Sequence, residues 1–179
     1  RISLMPCVRC SVPVWRRLLA RCRWRFRRWP VDGCRGEYGS RMFRGREADV
    51  PFVDALTSIL DPSLPLTVTE WDEWGDPLHN ADVYRYMKEY TPYENAPSDA
   101  NDARVAVFPK IFITTSMNDT RVLYVEPMKW LARLQRAGVD AVAKIEVEAG
   151  HGGTSGRYKQ WEEISYENAW CLGVMGITS

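Results

Sequence analysis

Two segments with the pattern of a buried strand, each followed by a loop and a helix, limit the folds open to this chain. The predicted strands cover Ala106–Thr115 and Ala141–Glu148, and the helices that follow them cover Glu126–Ala137 and Lys159–Met175. Further upstream, Asn80–Tyr90 also has a helical pattern. Strands that alternate with helices form parallel sheets, because the helix returns the chain to the starting edge of the sheet. The sequence therefore predicts an α/β fold.

A change in composition near residue 46 divides the chain into two predicted parts. Residues 1–46 contain 13 Arg, no Lys and two acids, whereas residues 47–179 contain 11 basic and 21 acidic residues. The formal net charge of +1 thus hides two segments of opposite sign. We predict that 1–46 is a basic segment rich in Arg, Trp and Cys, either disordered or translated out of frame. Ordered structure is expected from residue 47 to the end.

Cysteine usage and hydropathy bear on the compartment of the protein. Cys171 is the only cysteine after residue 46, and a lone cysteine favours a reducing compartment. No apolar run approaches the roughly 20 residues needed to span a bilayer. The first residues also lack the apolar stretch and cleavage site of a secretory signal. We therefore expect a cytoplasmic protein with no membrane partner.

Asp119 and His151 each follow a predicted strand, which is where α/β sheets form their sites. Gly150, Gly152 and Gly153 would let the backbone bring the imidazole close to a partner. A serine peptidase needs an imidazole to move a proton and a carboxylate to orient it, and the acid precedes the histidine in α/β-hydrolases. On spacing alone, a turn-forming aspartate and a structural histidine stay open as alternatives.

Five motifs, in order along the chain, carry a resemblance to a known family. They are VPFVDALTSILDPSLPLT, EWDEWGDP, YMKEYTPYENA, NDTRVLYVEPMKWLARLQ and EAGHGGTSGRY. From about Glu47 to its end, the chain resembles the catalytic domain of the oligopeptidase B branch of the prolyl oligopeptidase family of serine peptidases. The resemblance implies a partial α/β-hydrolase domain without the β-propeller of that family. It also implies that Asp119 is the catalytic acid and His151 the base.

The same resemblance implies cleavage of short peptides after Arg or Lys, with no cofactor and no metal. In this family two carboxylates bind the cationic side chain of the substrate, and they fall on Glu70 and Asp72 here. Paired carboxylates match the donors of a guanidinium. Asp72 and Ser116 stand where the family has Glu and Gly, so a wider pocket and an altered turn are expected.

The serine nucleophile that the resemblance requires is missing. No Gly-x-Ser-x-Gly-Gly motif occurs in the 179 residues, and neither Ser116 nor Ser155 lies on a strand-to-helix elbow. We therefore expect the chain to be inactive by itself. Codons compatible with Trp24–Trp29, read one base later, encode Gly-Gly-Ser-Ala-Gly. Residues 1–46 could thus be an out-of-frame translation of the missing elbow.

Other interpretations of the basic segment stay open. Its arginines and tryptophans could bind nucleic acid through phosphate contacts and stacking, which gives a noncatalytic interaction protein as the alternative function. The lack of Lys and of a known module disfavours nucleic acid as a partner. The lack of acids before Asp32 resembles a mitochondrial targeting segment. A zinc site is weakly supported, because only one close pair occurs among Cys7, Cys10, Cys22 and Cys34.

Overall fold

The structure is a computed structural model and describes residues 44–153 and 156–177. In this part of the chain a parallel sheet of three strands has the order β1 (Gly45–Asp49), β2 (Lys110–Ser116) and β3 (Ala141–Glu146). The predicted α/β fold is confirmed. The predictions of a zinc site, a nucleic-acid-binding arm and a frameshift concern residues that lie largely or wholly outside the described part.

Helices connect the strands and flank the sheet. Between β1 and β2 lie α1 (Ala55–Ile59), α2 (Thr67–Trp74) and α3 (Ala81–Tyr90), whereas α4 (Val125–Arg136) connects β2 to β3 and α5 (Arg157–Met175) follows β3. The side chain of Asn80 accepts hydrogen bonds from the first amides of α3, as its position before the helix predicts. Gly138, with φ of 84°, ends α4 in the left-handed conformation that glycine adopts without strain.

The sheet lies between two layers of helix. On one face, Trp130 and Leu134 of α4 belong to the same buried cluster as Ile113 of β2. On the other face, Phe112 stacks on Trp170 of α5, with ring centroids 5.4 Å apart. Successive strand residues point to opposite faces, so a strand covered on both faces is apolar throughout. The continuous apolar run in β2 therefore reflects burial on both sides.

The start of β2 differs from the sequence prediction. The strand was predicted from Ala106, but it begins at Lys110, and Val105–Val107 forms a short 3-10 helix before it. Pro109 separates the two, and a proline has no amide hydrogen to donate to a strand ladder. The apolar residues before Pro109 therefore turn back on themselves, as the bond from the Phe108 amide to the Val105 carbonyl shows.

The helices between β1 and β2 form a second, smaller apolar cluster. Its buried members are Ala55, Leu56 and Ile59 of α1 and Met87 of α3. Trp74 of α2 packs on this cluster. The cluster holds α1 and α2 beside the carboxyl ends of β1 and β2, where each strand is followed by a loop.

Candidate active site

Asp119 and His151 meet at the edge of the sheet where the parallel strands end. Asp119 lies in the loop after β2, and His151 lies in the loop after β3. The His151 Nδ1 and the Asp119 Oδ2 are 2.7 Å apart. The Asp119 side chain is 0% exposed and that of His151 is 26% exposed. The carboxylate is thus shielded from water, while the imidazole still reaches the surface.

The loop around Asp119 decides which oxygen faces the histidine. Asp119 Oδ1 accepts hydrogen bonds from the amides of Arg121 and Val122, at 2.8 and 3.0 Å. Oδ2 is therefore the oxygen that receives the Nδ1 proton of His151. With its proton on Nδ1, a neutral imidazole carries its lone pair on Nε2. The pair therefore has the arrangement of a general base oriented by a carboxylate.

The loops that carry Asp119 and His151 are joined directly to each other. Ser116 Oγ donates to the carbonyl of Ala149, and Asn118 Nδ2 donates to the carbonyl of Val147 at 2.8 Å. Ser116, expected from its position to alter the turn, thus links the two loops. Its hydroxyl is engaged by a carbonyl, so it is poorly suited to be the nucleophile.

A cavity of about 720 Å³ opens beside His151 and is markedly acidic. It lies between α1, α2, the Asp119 loop, the His151 loop and α5. Arg121 and His151 are the basic residues among the described residues that line it, whereas the acidic residues are Asp49, Glu70, Glu126, Glu163 and Glu167. Several carboxylates around one cavity favour a cationic guest.

The backbone is strained where β1 opens into this cavity. Val50, the residue after β1, has φ of 44° and lines the cavity. This left-handed conformation costs a residue with a side chain about 1–2 kcal/mol. Strain of this kind persists where the surroundings impose it, and it is concentrated at functional sites.

The two predicted substrate-binding carboxylates are placed differently. Glu70 lines the cavity, and its Oε2 accepts a hydrogen bond from Trp74 Nε1 at 2.9 Å. Asp72 lies on the same helix but is exposed and does not line the cavity. The structure therefore brings Glu70 to the site of His151 and leaves Asp72 outside it. The binding role of each residue stays a prediction.

Glu126 is a site residue that the sequence did not reveal. It is 3% exposed and lines the cavity. Its Oε1 accepts from Ser58 Oγ at 2.5 Å, and its Oε2 accepts from the Asp54 amide at 3.1 Å. The available signal was its spacing, because Glu126 lies four and eight residues before the buried Trp130 and Leu134.

Burial raises the pKa of Glu126 to about 7, with a further increase from the negative charge of Asp54. The hydrogen bonds from Ser58 and from the Asp54 amide oppose this shift. Because the folded pKa is raised, the stability that the protonated carboxyl contributes is present below pH ~4.5 and is lost as the pH rises through about 7.

Glu126→Gln is expected to remove a pH-dependent part of the stability. Between pH ~5 and ~8 the free energy of unfolding of the wild-type chain should fall by roughly 2 kcal/mol more than that of the variant. Urea unfolding of both 179-residue chains across this range measures the difference, in which the contributions of other titrating groups cancel. Parallel pH profiles would show that Glu126 ionises normally in the folded chain.

The described residues contain no group of three or more His, Cys, Asp or Glu residues that could hold a metal ion. Ser58 lines the cavity, but its hydroxyl donates to Glu126. Ser155 lies outside the described residues. No helix in the described ranges is long and apolar enough to cross a membrane.

A parallel sheet covered by helices on both faces, with an aspartate and then a histidine after successive strands, defines part of an α/β-hydrolase catalytic domain. A sequence model of the prolyl oligopeptidase family, Peptidase_S9, matches residues 37–178. The chain belongs to the prolyl oligopeptidase family. Both the match and strand β1 begin before residue 47, and the division of the chain at residue 46 stays a prediction.

Similar proteins agree with this assignment. The chain is 47% identical over 131 residues to Protease 2 of Moraxella lacunata, covering 72% of this chain and 18% of that protein. It is 40% identical over 133 residues to dipeptidyl aminopeptidase BI of Pseudoxanthomonas mexicana, covering 73% and 17%. The structure of oligopeptidase B from Leishmania major aligns with a TM-score of 0.69 and 34% identity, covering 77% and 18%. The predicted resemblance to oligopeptidase B is confirmed, and the chain spans less than a fifth of the length of these relatives.

Proposed function

We propose that this chain supplies the acid, the base and the cation-binding wall of a serine peptidase site that cleaves short peptides after Arg or Lys. The observation that carries the proposal is the hydrogen bond between His151 and Asp119 beside a cavity lined by Glu70. Family membership supports peptides as substrates. The basic specificity is supported by the acidic lining of the cavity.

The proposed mechanism uses His151 twice. His151 Nε2 takes the proton of a serine hydroxyl as that oxygen attacks the substrate carbonyl, and the ring then returns the proton to the leaving amine. Asp119 holds the ring by Nδ1 and stabilises its charged form. A water molecule activated by His151 in the same way releases the acyl group.

The nucleophile must come from outside the described residues. The hydroxyls of Ser58 and Ser116 donate to Glu126 and to the Ala149 carbonyl. A triad without its nucleophile loses nearly all of its catalytic contribution. We therefore propose that the 179-residue chain is inactive by itself and that a serine elbow in a longer polypeptide completes the site. Cys171 is the only cysteine after residue 46, which supports the proposed cytoplasmic location.

Two alternative functions can be distinguished from this proposal by experiment. The name of dipeptidyl aminopeptidase BI suggests release of dipeptides, and the carboxylates of the cavity would equally attract the amino terminus of such a substrate. A noncatalytic protein with a nucleic-acid-binding arm is the second alternative. Salt-dependent RNA binding that is lost when residues 1–46 are deleted would favour it.

The basic specificity can be tested without catalysis. The 179-residue chain should bind argininamide at least about tenfold more tightly than citrullinamide, which replaces the guanidinium with a neutral group of similar shape. Glu70→Gln should remove this preference, whereas Glu73→Gln, at an exposed position of the same helix, should keep it. Equal binding of the two ligands by isothermal titration calorimetry would contradict a cation-binding wall.

A further inference from the structure

Glu126 bridges two segments that leave the sheet at neighbouring strands. It lies in the first turn of α4, which follows β2, and its carboxylate receives hydrogen bonds from Ser58 and from the Asp54 amide at the start of α1, which follows β1. β1 and β2 are adjacent and parallel. The bridge therefore fixes the start of α4 relative to the preceding crossover.

A short and well-anchored segment joins this bridge to the acid of the site. Asp119 lies seven residues before Glu126 and binds the amides of Arg121 and Val122. Val122 is buried, and the Glu126 amide donates to the Leu123 carbonyl at 3.0 Å. A displacement of the start of α4 would therefore also displace the turn that presents Asp119 Oδ2 to His151.

The groups around Glu126 suit it to a structural role. Asp54, 1% exposed, pairs with Lys129, so that one of the two neighbouring acids is neutralised. Lys129 also lies over the ring of Tyr93, 4.6 Å from its centroid. Both oxygens of Glu126 accept hydrogen bonds from the protein, so that the group is suited to hold structure and poorly suited to contact a substrate.

We propose that Glu126 is a positioning residue, which keeps the Asp119 turn in register with His151 by bridging α4 to α1. This inference rests on the hydrogen bond between Asp119 and His151. The positioning role of Glu126 can therefore be tested independently of the proposed peptidase function.

Proton NMR of the His151 ring tests the proposal on the full 179-residue chain. A hydrogen-bonded Nδ1 proton that exchanges slowly should give a resolved downfield signal in the wild type, and Asp119→Asn should abolish it. His79 is the only other histidine, and His79→Gln identifies the signal. Glu126→Ala should reduce the signal at least about threefold through exchange with water. Glu126→Gln, which keeps one acceptor and gains one donor, should restore it.

A matched control separates positioning from general stability. Leu131→Ala removes part of the buried cluster behind the sheet without touching the bridge, so it should lower Tm and keep the His151 signal. If Glu126→Ala does not fold, Ser58→Ala removes one of the two bonds and should weaken the signal partly. A full His151 signal in folded Glu126→Ala or Ser58→Ala, or its loss in folded Leu131→Ala, would overturn the proposal.

Discussion

Asp119→Asn is expected to lower kcat/KM for an arginine amide by roughly 10³- to 10⁴-fold in an enzyme that carries residues 44–177 of this chain. The reason lies in how the loop holds the carboxylate. Oδ1 accepts from two backbone amides, so the oxygen of an asparagine would take that place. Its NH₂ would then donate to His151 Nδ1, the ring proton would move to Nε2, and the base would be lost.

A chimaera provides the missing serine for this measurement. Residues 44–177 replace the matching segment of Protease 2 of Moraxella lacunata, to which the chain is 47% identical over the aligned residues. Asp140→Asn is the matched control, because Asp140 is exposed and pairs with Lys110 at the surface. The control should stay within about twofold of the parent. A loss of less than about tenfold for Asp119→Asn would show that another group orients the histidine.

Lys129→Met is expected to lower the free energy of unfolding of the 179-residue chain by about 3 kcal/mol. The Asp54 side chain is 2% exposed and pairs with Lys129, whose side chain is 37% exposed. Among the residues that the structure describes, methionine would leave the buried carboxylate with the Thr57 hydroxyl as its remaining side-chain donor. An unpaired buried charge costs far more than the loss of a surface ion pair. Urea unfolding near neutral pH measures the change.

Two further variants control for the charge and for the volume of the lysine. Lys144→Met removes a lysine that is 3.9 Å from Glu163, with both side chains at least a quarter exposed. It should cost less than about 1 kcal/mol. Adding Asp54→Asn to Lys129→Met should recover much of the loss, since the buried group is then neutral. Equal losses for the two lysine variants would mean that burial of Asp54 has no electrostatic cost.

The meeting of Asp119 and His151 could be predicted from sequence because the signals for it are local. Asp119 and His151 each follow a strand, and their order along the chain is that of α/β-hydrolases. The glycines around His151 further indicated a close approach of the backbone. Strands β2 and β3 were predicted from their apolar patterns, but β2 begins at Lys110 rather than Ala106, because Pro109 interrupts the ladder.

The surroundings of the pair could not be predicted, because they depend on contacts that are distant along the chain. Glu126 meets Ser58 across 68 positions. Its spacing to Trp130 and Leu134 indicates the buried face of the helix, but it does not indicate that Ser58 and the Asp54 amide are its partners. Glu70 and Asp72 are two residues apart on α2, so they point in different directions, and only Glu70 lines the cavity. Spacing gives the face of a helix, but the fold decides what covers that face.

The most direct test of the central claim is the rate at which a fluorophosphonate probe labels the chimaera and its His151→Ala variant. Labelling needs an activated serine and does not depend on the cation-binding wall. If Asp119 and His151 are the acid and base of a serine peptidase site, one serine in the part contributed by Protease 2 is labelled. His151→Ala should then slow the reaction by at least about 10³-fold. Labelling at an unchanged rate in His151→Ala, or labelling confined to Ser58 or Ser116, would contradict this assignment.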